Sequence, residues 1–197
     1  MAIISVQELL EAGVHFGHRT SRWNPKMERY LQGKRNGIHI INLRETVKGL
    51  VRATHFLRAV TAQGYDVLLV GTKRGAKTVV REEASRCEMP FVTERWLGGT
   101  LTNFDTIRKR LSYLEELEEL ESSGEVNTLK KKQLARHNRE KRKLLKNLEG
   151  IRNMTSLPGA VIVVDPRREH IAVREANRMN LPLIALATQI TDQSGRA

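Results

Sequence analysis

Short apolar runs, separated by stretches of helical period, are the most regular feature of this chain. Val67-Leu68-Leu69-Val70, held between Asp66 and Gly71, shows no polar alternation, the pattern of a strand covered on both faces. It leads through a basic turn, Lys73-Arg74, into Ala76–Arg86, which predicts a helix. Ile38–Leu43 predicts an earlier strand, followed by a helix over Thr46–Ala62 with Val47, Leu50, Val51, Phe56, Leu57 and Val60 inward and Gly64 as its stop. Pro90-Phe91-Val92, Ala160–Pro166 and Leu183–Ala187 predict three further strands. Between the last two, Glu169–Met179 predicts a helix with Ile171, Val173 and Ala176 inward. Strands alternating with helices imply an α/β fold: a doubly wound, mainly parallel, Rossmann- or flavodoxin-like sheet of about five strands.

Two segments break this rhythm. Ser5-Val6-Gln7-Glu8 is a capping box opening a short helix that Gly13 stops, and Val14–Asn36 then shows little periodicity. That second stretch reads as a long basic loop, with Arg19, Arg22, Lys26, Arg29, Lys34 and Arg35 against Glu28, and Trp23 and Tyr30 interleaved. From Asp105 to Glu149 long charged helices replace the α/β pattern. Ile107, Leu111, Leu114, Leu117 and Leu120 form one apolar stripe, Leu134, Leu144, Leu148 and Ile151 another, with Ser122-Ser123-Gly124 between them. The expectation is an antiparallel coiled-coil hairpin, residues 105–150, inserted into a globular domain of residues 1–104 and 151–197, each arm about 25 Å long. Its first arm is acidic near the tip (Glu115, Glu116, Glu118, Glu119, Glu121) and its second basic (Lys130 to Lys146), with His137 and Lys141 at seam spacing.

Charge changes the picture most. A net charge of +12 over 197 residues, with a sequence pI near 10.3, is the electrostatic footprint of a nucleic-acid binder. Aromatics at 5% argue against stacking on single-stranded bases and favour phosphate and shape recognition of folded RNA. No amphipathic helix carries the cations opposite a bulky apolar stripe, and no apolar run approaches membrane-span length, so a membrane partner is not expected. The N-terminus lacks the regions of a signal peptide, and the lone Cys87 fits a reducing compartment, with packing as its expected role.

Candidate chemistry is sparse. Gly71 and Ala76-Lys77-Thr78 have the spacing of a Walker A loop, but alanine stands where the motif needs glycine. Val161–Asp165 could serve as a Walker B strand, so a degenerate P-loop NTPase remains the alternative. No catalytic triad, paired acids or metalloprotease spacing appears, and neither enzyme activity nor a cofactor is expected. His15 and His18 flank Gly17 without a nearby cysteine or acid and make weak metal ligands. The paired glycines Gly98-Gly99 mark a tight turn whose backbone approaches either another segment or a phosphate.

A set of longer motifs points further. Gly13-Val14-His15-Phe16-Gly17-His18, Trp23-Asn24-Pro25-Lys26-Met27, Asn36-Gly37-Ile38-His39-Ile40-Ile41, Gly71-Thr72-Lys73, Arg95-Trp96-Leu97-Gly98-Gly99-Thr100-Leu101-Thr102-Asn103 and Val163-Val164-Asp165-Pro166 together resemble the family of the second protein of the small ribosomal subunit, in its bacterial form. The resemblance runs from residue 5 to about 187. It implies a non-enzymatic Rossmann-like domain with a projecting helical hairpin, bound to small-subunit ribosomal RNA in the cytoplasm or an organelle. It also implies assembly with other small-subunit proteins, including the multi-OB-domain protein that helps capture messenger RNA, and not a homo-oligomer. With the charge pattern it marks Arg19, Arg22, Trp23, Lys26, Arg29, Lys34, Arg35, Lys73, Arg74, Arg95, Trp96, Asn103 and Arg108 as candidate RNA contacts, and Leu114, Leu117, Lys130, Arg136 and Lys141 as candidates on the partner-docking hairpin. The family's Asp-Thr-Asn-Cys-Asp-Pro-like run after the last strand is replaced here by Thr188-Gln189-Ile190-Thr191-Asp192-Gln193.

Overall fold

A computed structural model describes residues 5–22, 24–124 and 130–187. They form helices and strands in two compact units, residues 1–63 with 186–197 and residues 64–185. Trp23 and the stretch from Thr188 onward, where the chain departs from the family's pattern, lie outside the described residues, as does the side chain of Arg22.

In the first unit, α1 (Val6–Glu11) opens with the expected capping box. Glu8 N–H donates to Ser5 Oγ at 3.2 Å, and Ser5 N–H donates back to Glu8 Oε2 at 2.7 Å. The basic stretch beyond α1 is not a loop. β1 (Phe16–Arg19), β2 (Leu31–Arg35) and β3 (Ile38–Ile41) form an antiparallel sheet of order β1-β3-β2, with short 3-10 turns at Thr20–Arg22 and Pro25–Tyr30. The predicted strand over Ile38–Leu43 is therefore the centre of this separate sheet and not part of the parallel one. The correction has a physical reason: β1 and β2 bury no residue fully, so their sequences carry no apolar alternation to announce them. α2 (Leu43–Ala62) starts earlier than expected because Asn42 caps it, its side chain accepting from Arg44 N–H at 3.0 Å. Of the predicted inward residues on α2, Val60 is buried, whereas Val51 and Phe56 are 45% and 37% exposed.

The second unit holds a four-stranded sheet: β4 (Val67–Val70), β5 (Phe91–Val92), β6 (Ala160–Val164) and β7 (Leu183–Leu186), in the order β5-β4-β6-β7. β4 runs parallel to both neighbours, and Leu68, Val70, Val161 and Val163 are all fully buried, as their unbroken apolar runs require. Among the described residues four strands share this sheet, against the expected about five. The chain moves outward from β4 to β5 on one side, then returns to β6 on the other. That reversal is the doubly wound signature and puts the topological switch point between β4 and β6.

α3 (Lys77–Arg86) links β4 to β5 and α6 (His170–Arg178) links β6 to β7, while α4 (Phe104–Ser122) and α5 (Lys131–Leu148) lie between β5 and β6. Ile107 and Leu111 of α4 and Leu148 of α5 belong to the same core as the strands. Farther along α4, Leu114 and Leu117 are buried, and the two helices share Glu121, which bonds both His137 and Lys141. Cys87 does not pack in the core. It caps the C-terminus of α3 and is exposed, because the chain turns there through Glu88 at φ 56°. Among the described residues, no helix is long and apolar enough to cross a membrane.

Candidate nucleic-acid interface

The switch point of the parallel sheet is where α/β folds commonly bind ligands, and in this chain it is filled from within. Thr72, just past β4, gives both its N–H and its hydroxyl to Glu169 Oε1, at 2.9 and 2.5 Å. Lys73 Nζ donates to Asp165 Oδ2 at 3.0 Å, across the gap between the ends of β4 and β6. Arg168 adds a bond to Thr72 Oγ1 at 3.2 Å. Buried Glu169 thus occupies the N–H and hydroxyl at the start of the Walker-like stretch.

The remaining parts of the Walker-like stretch have ordinary structural explanations. Lys77 Nζ is bonded to Glu94 Oε2 at 3.0 Å. Gly71 is demanded by packing, since a Cβ there would lie 2.9 Å from Val80 Cγ2. Ala76 occupies the N-cap position of α3 with no side-chain cap, and exposed Thr78 lies within that helix. These contacts give the NTPase alternative no support.

A second turn is built by the same helix. Glu175 of α6 is buried and accepts on Oε1 from Trp96 Nε1–H at 3.0 Å and Gly99 N–H at 2.8 Å. Its Oε2 accepts from Leu101 N–H at 2.9 Å and, at 3.3 Å each, from the N–H and hydroxyl of Thr102. Burial pushes this carboxyl's pKa up, but the Leu101 amide, the Trp96 indole and the Gly99 and Thr102 amides outweigh it, and the group lies below the ordinary glutamate value. The paired-glycine turn therefore receives another segment of the chain: its backbone surrounds an anion that the protein itself supplies. Gly99 sits at φ 89°, and a Cβ on it would come within 3.2 Å of Asn103 Cβ.

The candidate RNA contacts distribute over the two units. In the first, Arg19 of β1 and Arg35 of β2 both stand opposite Ile38, one on each side of the central strand, so that the three residues form one row across the sheet. Lys34 is in register with His39. Arg19, Lys34 and Arg35 are all exposed. Lys26 and Arg29 lie on the 3-10 turn, with the Arg29 guanidinium 4.5 Å from the centre of the Tyr30 ring. In the second unit Lys73, Arg74, Arg95, Asn103 and Arg108 are exposed, Arg108 donating to Thr155 O at 3.0 Å. Trp96 differs: at 6% exposure, its ring is committed to the core and to Glu175.

On α4 and α5, Leu114 and Leu117 are buried, while Lys130 and Arg136 are exposed. Arg136 pairs with Glu140 at 3.1 Å and Lys141 with Glu121. Glu118, near the acidic tip, accepts from Arg152 at 2.5 Å. Of the two histidines, His18 is exposed on β1, whereas His15 stacks on Phe16 with ring centroids 4.0 Å apart and buries an Nδ1 that has no hydrogen-bond partner among the described residues. No group of three metal-ligating side chains is gathered among the described residues.

The model of the family described as ribosomal protein S2 matches residues 9–195. This chain belongs to the ribosomal protein S2 family. Membership makes it a structural ribosomal protein and not an enzyme. A similar curated protein is the small ribosomal subunit protein uS2 of Rhodopirellula baltica, 54% identical over 194 residues, which span 98% of this chain and 75% of that protein.

Glu169 and Glu175 are the buried acids that the sequence motifs did not announce. The signal was present: Glu175 falls three residues after Ala172 and beside Ala176, on the stripe of α6 that faces the core, where an acid survives only with partners.

Proposed function

We propose that this chain is a structural constituent of the small ribosomal subunit, that it binds small-subunit ribosomal RNA, and that it works in translation in a bacterial or organellar-type cytoplasm. The observation that carries the reading is the row Arg19-Ile38-Arg35 with neighbouring Lys34: exposed cations spaced by the strands of one sheet, in a protein of net charge +12. Spacing by strands suits an array of phosphates: with β3 between them, Arg19 and Arg35 stand two strand widths, roughly 9.6 Å, apart at the backbone. Lys26 and Arg29 of the first unit and, separately, Lys73, Arg74, Arg95, Asn103 and Arg108 of the second are further proposed RNA contacts, and Arg22 and Trp23 are proposed from the sequence alone. Binding is led by phosphates and shape, not by stacked bases.

In the same reading, residues 105–150 act as a coiled-coil module whose seam is Leu114 and Leu117 and whose polar surface, with Lys130, Arg136 and Lys141, docks the multi-OB-domain ribosomal protein and so assists messenger RNA capture. The similar uS2 protein, named for the small subunit, supports the assembly part of the proposal. Sedimentation tests it: the protein should travel with small ribosomal subunits in low salt and leave them in high salt. Failure to cosediment at low salt would refute it.

A further inference from the structure

We infer that Glu175 is a positioning residue for RNA recognition: its carboxylate fills the anion-binding backbone of the 95–103 turn, so that the cation Arg95, and not the turn's own N–H groups, meets phosphate. The inference rests on the RNA reading above and deepens it.

Gly99 aims its N–H at one oxygen and Leu101 and Thr102 theirs at the other oxygen of a single carboxylate, a concavity of backbone donors of the kind that in other proteins receives phosphate. Here that carboxylate comes from α6 and has five donors around it. The residues then sort by direction: Trp96, Thr100 and Leu101 are buried, while Arg95, Gly98, Thr102 and Asn103 are exposed. Arg95 directly precedes the anchored indole, and Asn103 directly succeeds the anchored Thr102 and sits at the N-cap position of α4. Asn103 thus follows backbone that the carboxylate holds through the Leu101 and Thr102 amides, while Arg95 is tied to the same carboxylate through the indole of its neighbour Trp96.

Glu169 repeats the device six residues earlier, at the N-cap position of α6, holding Thr72 beside Lys73. An isolated carboxylate buried for packing alone would be costly, and an apolar residue would serve better. Its retention with matched donors on a turn flanked by exposed polar groups points to orientation of that turn.

The test is a double-mutant cycle on the full chain with small-subunit ribosomal RNA, joined to amide hydrogen exchange on the free protein. In Glu175→Gln the Gly99, Leu101 and Thr102 amides should exchange at least about tenfold faster. RNA affinity should fall roughly fivefold to tenfold, and the slope of log affinity against log salt should become shallower by about one. Glu175→Gln combined with Arg95→Ala should bind no more weakly than Arg95→Ala alone, because both act on the same phosphate interaction. Glu175→Asp, which keeps the charge, should recover part of the affinity and serves as the variant if the glutamine form does not fold. Unchanged amide exchange overturns the inference, as do freed amides with unchanged RNA affinity or effects that simply add. If the wild-type protein itself binds RNA without salt dependence, the RNA reading has failed, a result visible before any variant is made.

Discussion

The indole N–H of Trp96 donates to Glu175 Oε1 at 3.0 Å, joining the turn before α4 to a helix 79 residues later in the chain. Both partners are buried, so the bond cannot be replaced by water without rearrangement. Trp96→Phe keeps most of the ring and removes the donor. We expect a loss of about 1.5–3 kcal/mol, the usual range for a hydrogen bond to a charged group, measured by urea unfolding.

Gly150 lies against β5 so closely that a Cβ would stand 2.2 Å from Phe91 O and 2.6 Å from Phe91 Cδ2. A backbone oxygen in a strand cannot withdraw as a flexible side chain can. Gly150→Ala should therefore destabilise the fold by about 1–3 kcal/mol or more, through overpacking, with thermal denaturation as the measurement.

Much of this architecture was legible in the chain, and the exceptions have identifiable causes. β4 and β6 are covered on both faces, so four or five apolar residues in a row announced them. α1 was legible from Ser5 and Glu8, whose reciprocal bonds need no tertiary partner. β1 and β2 were not, because pairing to β3 through backbone bonds leaves Phe16–Arg19 and Leu31–Arg35 largely exposed, and Gly17 and Gly33 weaken any strand signal. The exposure of Val51 and Phe56 was equally hidden, since helical period shows which residues share a face but not whether that face is covered. At the candidate site the cations were readable as a charge surplus. Their row across β3 was not, because it arises from a strand register that no local pattern encodes.

The ion pairs between α4 and α5 and within α5 give a pH prediction. The Lys141 ammonium holds Glu121 below the ordinary carboxylate value against the opposing effect of burial, with His137 assisting. Arg136 and Tyr113 lower Glu140 in the same sense. Around the ordinary value of about 4.3, the unfolded chain then binds more protons than the folded one, so stability rises with pH. The contribution is fully present above that value and is lost as pH falls through the lowered folded values. Far-ultraviolet circular dichroism should show thermal midpoints flat between about pH 5 and 7 and falling below about pH 4. Glu121→Gln should flatten part of that fall.

Lys77 and Glu94 make a partly exposed pair at 3.0 Å. Lys77→Ala should cost no more than about 1 kcal/mol of stability. Calorimetry with ATP and magnesium should register no tight binding by either form, because alanine stands at position 76 where the motif needs glycine and Lys77 is paired with Glu94. Tight ATP binding abolished by Lys77→Ala would restore the nucleotide alternative.

The measurement that bears most directly on the central claim is RNA affinity as a function of salt for the wild-type chain and for Arg19→Ala with Arg35→Ala, the pair that flanks Ile38. Log affinity for small-subunit ribosomal RNA should fall steeply and linearly with log salt. The double variant should bind more weakly, with the slope reduced by about 1.4–1.8, or about 0.7–0.9 for each phosphate that the protein no longer neutralises. A flat salt dependence, or a slope that the double substitution leaves unchanged, would contradict phosphate-led binding by this sheet.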